Sequence, residues 1–519
     1  MEAAQPVCPS SRDHSLKVLN TQRFRLSGAS AVARAGYASC LFVLVSSHAV
    51  AYAQPNHTEL ALATELLREA SRAASAIKDD EVVSGCCTAQ HWKLRVYNQI
   101  AGAQAELRDQ EGIKETATFA VQAAKGAAAA ALLLATIGTS QAKAGDLVGG
   151  VHTLEQSLEA AHTIEKDVVR NSLLWMIARG FASAGKIQRA LTLADSINDD
   201  LVKVSAQADV AVAQVKAGDR EAGTTIFDKA RQVATGIKDP RDRAVAYHNI
   251  ALAMSKSMDR KGAQGMMKEA LAAAGKIADD AGKADLLNML GAGYIEMGDT
   301  EEAQRVLAQA ANAANHIGME SDRADRLWRI ARNQVNSGNR EAAEATLHQA
   351  SQSAKRIQDA FEQANALISI ATAYTATGNR GAAQESLQQA AQIITGITNQ
   401  GLKSSILMQL ATAQAQAGHV QAAIETAMTT DNYAHAQAWA LRDIAIEQAR
   451  AGDLEGAVKS VRAIKDGQSQ QTEAWRAIAN ARVRRGDSRE AHAWVIQQTA
   501  HLDKVTALLG VAEGILHIQ

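Results

Sequence analysis

Two tryptophan–arginine pairs stand one helical turn apart in this sequence, Trp175 with Arg179 and Trp328 with Arg332. A flat indole ring and a fork-shaped guanidinium on one helix face can hold a single ligand between them. The competing reading is that the indoles carry apolar area between helices and that the cations are solvated or paired with acids. Toward the C-terminal end Arg442, Arg450, Arg476, Arg482, Arg484 and Arg485 accumulate as a local basic patch, with Glu447, Asp453 and Asp487 as available counter-charges. The whole chain carries 54 Lys plus Arg against 55 Asp plus Glu. No net field therefore draws it onto nucleic acid or an anionic membrane, and no nucleic-acid partner is expected; a polyanion would need that patch. The one metal-like cluster is Cys86, Cys87 and His91, with Asp79 and Asp80 nearby. Adjacent thiols suit tetrahedral coordination poorly, because ligand pairs normally stand two to four residues apart, so neither a metal nor a cofactor is expected. The sequence has no phosphate-cradling glycine loop, no paired histidines on one helix face with an attendant acid and no nucleophile elbow, so no catalytic residue is nominated and an enzyme is not expected.

The elements that would position such side chains are helices. Among 519 residues there are 4 Pro and 4% aromatic residues, and Ala, Gln, Leu and Glu dominate. These are strong helix formers, and the β-branched and aromatic runs of strands are missing, so the fold class is all-α. A short turn signal recurs as Gly145-Asp146, Gly185-Lys186, Gly218-Asp219, Met258-Asp259, Gly298-Asp299, Gly338-Asn339, Gly378-Asn379, Gly418-His419, Gly452-Asp453 and Gly486-Asp487, at spacings of 40, 33, 40, 40, 40, 40, 40, 34 and 34. Glycine closes one helix in the left-handed conformation and the next residue caps the following helix, so each unit is a helical hairpin. Around Gly298, residues Leu287, Leu290, Gly291 and Tyr294 precede the turn and Ala303, Leu307 and Ala310 follow it, at intervals of 3 and 4 that place one apolar stripe on each helix. The shorter spacing drops one 4-plus-3 step from the second helix, as in Ala457, Val461 and Ile464, which shortens the helix by two turns and keeps its stripe on the same face. Ile197, Ile237, Ile277, Ile317, Ile357 and Ile397 mark the joints between hairpins, with Asp239 and Asp359 as cap candidates.

At the N-terminal end, residues between His14 and Thr58 include no acid, and Lys17, Arg23, Arg25 and Arg34 precede an apolar run from Tyr37 to Val45. Ala51 and Ala53 flank Tyr52 in a small-x-small cleavage pattern. Residues 1–53 are therefore expected to be a signal peptide with a long charged region, cut before Gln54, with a periplasmic or secreted mature chain of residues 54–519. No other stretch reaches the 18 or so apolar residues of a membrane span.

The series Leu287, Leu290, Gly291, Tyr294, Gly298, Asp299, Ala303, Leu307 and Ala310 resembles the tetratricopeptide repeat (TPR). The resemblance covers the mature chain, with a 40-residue unit and without the proline that usually closes each repeat. HEAT repeats match that length but do not account for the tyrosine-to-glycine spacing. It implies an α-solenoid of about 11 stacked hairpins in a right-handed superhelix, flanked by an isolated second helix near Ala63–Ile77 and an isolated first helix near Leu508–Ile515. In that family the first helix of each hairpin lines a concave groove at ten, six and three residues before the glycine. Carried over, the partner-binding positions are Trp175 and Arg179, His248, Asn288, Trp328 and Arg332, Arg442, and Arg476 and Asn480. Trp328, Arg332, Arg442 and Arg476 are expected to share that face with accessible tips. The implied function is an exported scaffold or adaptor holding a peptide or protein in the groove. Binding of an anionic polysaccharide or other polyanion is a second reading. A third, an α/α-toroid enzyme, would call for longer hairpins closing into a ring.

Overall fold

The computed structural model describes residues 55–77, 82–84, 87–124, 126–430, 436–465, 468–486, 488–497 and 501–516. The leader expected over 1–53, Cys86 and the His91 side chain lie outside them. Residues 52–519 form one compact unit.

Twenty-four helices and one short antiparallel ladder, β1 (Val82–Ser84) with β2 (Cys87–Thr88), make up the described residues. After α1 (His57–Ala76) come hairpins of a first and a second helix: α2 (Ala89–Glu106) with α3 (Gln110–Ala123), α4 (Ala127–Ala144) with α5 (Leu147–His162), α6 (Asp167–Ser183) with α7 (Ile187–Asp195), and α8 (Asp200–Lys216) with α9 (Arg220–Gly236). The middle is α10 (Pro240–Lys256) with α11 (Arg260–Ala274), α12 (Asp280–Glu296) with α13 (Thr300–Asn315), α14 (Glu320–Asn336) with α15 (Arg340–Ala354), and α16 (Ala360–Thr377) with α17 (Arg380–Thr395). Then follow α18 (Gln400–Gln416) with α19 (Val420–Met428), α20 (Ala436–Ala451) with α21 (Leu454–Arg462), α22 (Gln468–Arg484) with α23 (Ser488–Ile496), and last α24 (His501–Ile515).

The turns are built as their residues dictate. Gly298 has φ +73° and Gly378 has φ +86°, just past a helix end, and the side chain of Asn379 accepts from the Ala382 N–H to start α17. Where glycine is missing the geometry persists, with Arg108 at φ +55° and Met258 at φ +60°. Asp239 caps α10 by accepting from the N–H groups of Arg241 and Asp242, ahead of Pro240 in the first turn. The second helices show both lengths: 9 residues in α7, α19 and α21, against 15 in α15 and 16 in α13 and α17. Leu290, Ile330, Ile370, Leu347 and Leu387 are all buried between neighbouring helices.

The α-solenoid has one feature that the periodicity does not announce: its ends meet. Helix α24 packs along α1 and α22, and one continuous apolar core takes in Leu66, Leu67 and Ala70 of α1, Trp92, Val96 and Ile100 of α2, Trp475 and Ile478 of α22, and Val505, Leu508 and Val511 of α24. The Lys504 ammonium lies 2.8 Å from Glu69, which places the start of α24 against the later part of α1, as in an antiparallel hairpin. Beside α3, helix α1 takes the place of a second helix: Arg72 reaches Glu115 at 2.7 Å and Ser71 Oγ pairs with Thr116 Oγ1 at 2.9 Å. The same lateral pairing joins Lys229 to Asp195 and Asn315 to Gln349 between other second helices. The two helices that read as isolated halves thus form a twelfth hairpin, first helix from the end of the chain and second from its start. The stack of hairpins closes on itself without longer hairpins.

Candidate functional site

The first helices present a polar ladder to one another. From α6, Trp175 Nε1 donates to Asp209 of α8 at 2.9 Å; Asn249 of α10 donates to Ser205 of α8 at 3.0 Å; Asn333 of α14 donates to Asn288 of α12 at 2.9 Å. Arg326 of α14 reaches Asp285 of α12 at 3.3 Å. Thr412 of α18 donates to Asp443 of α20 at 2.9 Å, and Arg442 of α20 reaches Glu473 of α22 at 2.8 Å. The ladder continues across the meeting of the ends, where Arg476 of α22 donates to Gln99 of α2 at 3.0 Å and Arg95 of α2 reaches Glu473 at 3.1 Å. Apolar stripes pack first helices onto second helices, so polar residues at other azimuths are left to link one first helix to the next.

The two tryptophan–arginine pairs are unlike in detail. Trp328 is half-buried, donates to Asp325 at 3.1 Å on its own helix, and holds the guanidinium carbons of Arg329 and Arg332 each 5.5 Å from its ring centre. Arg332 is exposed, so this cluster has an open side. At Trp175 the indole is spent on Asp209, whose carboxyl is pushed up by burial against the opposing pull of Arg179 and of that hydrogen bond. A third aromatic–cation contact comes from Arg442, 4.2 Å from the ring centre of Trp439, the most exposed of the described indoles at 38%.

Other positions serve packing. His248 is only 7% exposed; a Cβ on Gly293 of α12 would come within 2.3 Å of its ring, so the imidazole fills the space that Gly293 leaves and does not present to a groove. Burial lowers its pKa to about 4, with Lys256 adding to the effect. Arg442 and Arg476 do not keep free tips: their side chains are 16% and 29% exposed, Arg442 between Asp443 and Glu473 and Arg476 paired through two nitrogens with Glu513. Arg450 pairs with Glu447 at 2.6 Å. Of the basic patch, Arg482, Arg484 and Arg485 make no ion pair among the described residues, and Arg482 stacks 4.5 Å from the ring centre of Trp494. Asn288 belongs to the ladder, and Asn480 is half-buried on α22, its backbone oxygen 3.1 Å from where a Cβ on Gly514 of α24 would stand.

The groove positions at ten, six and three before the turn omitted the ladder's other row. Arg95, Ser205, Asp285, Asp325, Trp439 and Glu473 all lie thirteen residues before the turn residue. That is one further turn along the same helix face, and the spacing alone would have found them.

No family profile and no curated protein matches the chain. Among solved structures it is similar to the TPR-like repeats of a kinesin light chain from Podosopora anserina, at 18% identity and TM-score 0.26 over 38% of this chain and 96% of that one. A Rap protein complexed with Competence and Sporulation Factor aligns at 14% identity and TM-score 0.29 over 67% and 99%. Yeast Tom70 aligns at 12% and TM-score 0.24 over 79% and 99%. Of these, the kinesin light chain is described as TPR-like, and this chain is itself built of stacked helical hairpins.

Proposed function

We propose that this protein is an exported, periplasmic scaffold that holds an extended peptide or protein segment against the face built by its first helices. The observation that carries the reading is the half-open cluster of Trp328 with Arg329 and Arg332, placed on the same ladder as the exposed Trp439 over Arg442. Tryptophan and arginine at such positions supply most of the energy of many interfaces. Export is supported by the charged stretch and apolar run ahead of Gln54.

The test is capture of partners from the native host's envelope by residues 54–519, with the parent and with the double variant Trp328→Ala, Trp439→Ala. Loss of the captured partner at an unchanged unfolding midpoint supports the reading; equal capture by both proteins removes it. Arg482, Arg484 and Arg485, free of ion pairs among the described residues, favour a polyanion as the second reading. That reading is distinguished by salt: contacts to a polyanion weaken steeply between low and high ionic strength, whereas an apolar peptide contact changes little.

A further inference from the structure

Where the ends of the chain meet, α24 packs closely on α22 but α2 stands off from both along part of its length. Helix α2 faces α22 and α24 across a cavity of about 130 Å3, lined among others by Trp92, Arg95, Val96 and Gln99 of α2 and by Glu473 and Arg476 of α22. The acids at its edge are already engaged: Glu473 holds both Arg95 and Arg442, and Glu513 holds Arg476. Donors are left over. Trp92 is 4% exposed, and its Nε1 is buried without an acceptor. Gln99 accepts from Arg476 through Oε1, which turns its amide NH2 away from that arginine. Arg95 spends Nη1 on Glu473 and keeps Nε and Nη2, with its side chain 52% exposed. A buried N–H without a partner costs about 1 to 3 kcal/mol; Trp92 Nε1 is the one such group lining this cavity among the described residues, and beside the amide of Gln99 and the charged nitrogens of Arg95 it is matched by an anionic acceptor. The faces of Trp92 and Val96 offer apolar contact for a short hydrocarbon tail.

We propose that this cavity is a binding site for a small organic carboxylate, and that its occupation ties the first hairpin to the last. The carboxylate accepts from Trp92 Nε1, Gln99 Nε2 and the uncommitted nitrogens of Arg95, while its hydrocarbon part lies against Trp92 and Val96. A ligand that touches α2 and α22 together binds only when the ends are joined, so binding stabilises closure by mass action.

The experiment is calorimetric titration of residues 54–519 with sodium butyrate, and with butyramide as the uncharged counterpart, at constant ionic strength. Hydrogen exchange is followed peptide by peptide with and without butyrate. Saturable binding of butyrate, at least tenfold tighter than butyramide, is expected, with slowed exchange confined to α1, α2, α22 and α24. Trp92→Phe keeps the ring and removes the donor, and Arg95→Gln removes the charge from an exposed position; each should weaken butyrate binding roughly tenfold, the loss of one hydrogen bond to a charged group. Ligand-free unfolding midpoints close to the parent's would show both variants to be folded. Equal response to butyrate and butyramide, full affinity in both variants, or protection elsewhere in the chain each overturns the proposal.

Discussion

Met258 occupies a glycine's place. Its φ of +60° matches the turn glycines, and with 84% of its surface exposed it has little packing to lose. An L-residue in this region costs about 1 to 2 kcal/mol, partly offset by glycine's larger unfolded-state entropy. Met258→Gly should therefore raise stability by about 1 kcal/mol, read as a higher denaturant midpoint; an unchanged or lower midpoint counts against the turn assignment. The position was legible because the 40-residue spacing places a turn there whatever residue fills it. The role of His248 was not legible, since its burial depends on Gly293 of the next first helix, which no single-helix pattern describes. This histidine and Asp503 set opposite pH dependences. The folded pKa of His248, lowered to about 4, makes stability fall as pH drops from about 6.5 toward 4. Asp503, raised by burial to about 6 against a hydrogen bond from Trp475, binds its proton more tightly when folded, so its contribution falls as pH rises from about 4 to 6. The two slopes oppose each other in the parent. His248→Gln should leave a chain that gains stability on acidification relative to the parent, and Asp503→Asn one that loses more. Thermal midpoints at pH 4.5 and 6.5 check this, and three identical pH differences would refute it.

At the scale of elements, each helix was legible from local signals: a stripe at intervals of 3 and 4, a turn residue, and a cap. The length of the second helix was legible for the same reason, since a 4-plus-3 deletion keeps the stripe in register. Leu347, fully buried in α15, should accordingly cost about 2 to 5 kcal/mol when cut to Ala, measured by denaturation. Contacts between elements were much less legible. The acid partners Glu473 and Glu513 sit on neighbouring helices, so the arginines that they neutralise read as a free basic patch. Glycines show the same limit. A Cβ on Gly510 of α24 would stand 2.3 Å from the Arg476 carbonyl oxygen of α22, whereas one on Gly102 of α2 meets nothing within 4 Å. Gly510→Ala should then destabilise by about 1 to 3 kcal/mol through overpacking. Gly102→Ala should stabilise by about 0.5 to 1 kcal/mol through helix propensity alone. Two shifts of the same sign in the unfolding midpoint would show that α24 and α22 do not approach so closely.

The whole molecule was the least legible level, because a repeat pattern describes neighbours in sequence and the last contact joins residues as far apart as Glu69 and Lys504. Since α24 and α1 form a hairpin whose connection is missing, joining residue 519 to residue 54 and opening the chain between the exposed Gly318 and Met319 should give a permuted protein that begins at Met319 and folds with a midpoint at or above the parent's. A permutant that fails to fold cooperatively would argue that the ends do not pair. This arrangement also sets an order in time. The ribosome makes α1 before α24, so Leu66, Leu67 and Ala70 do not meet Val505, Leu508 and Val511 until the intervening helices have been made, and a product that stops before α24 leaves that side of α1 uncovered. Burial of α1 against α24 thus becomes a check that synthesis has passed α24: a chain interrupted earlier carries its own apolar mark for chaperones and proteases.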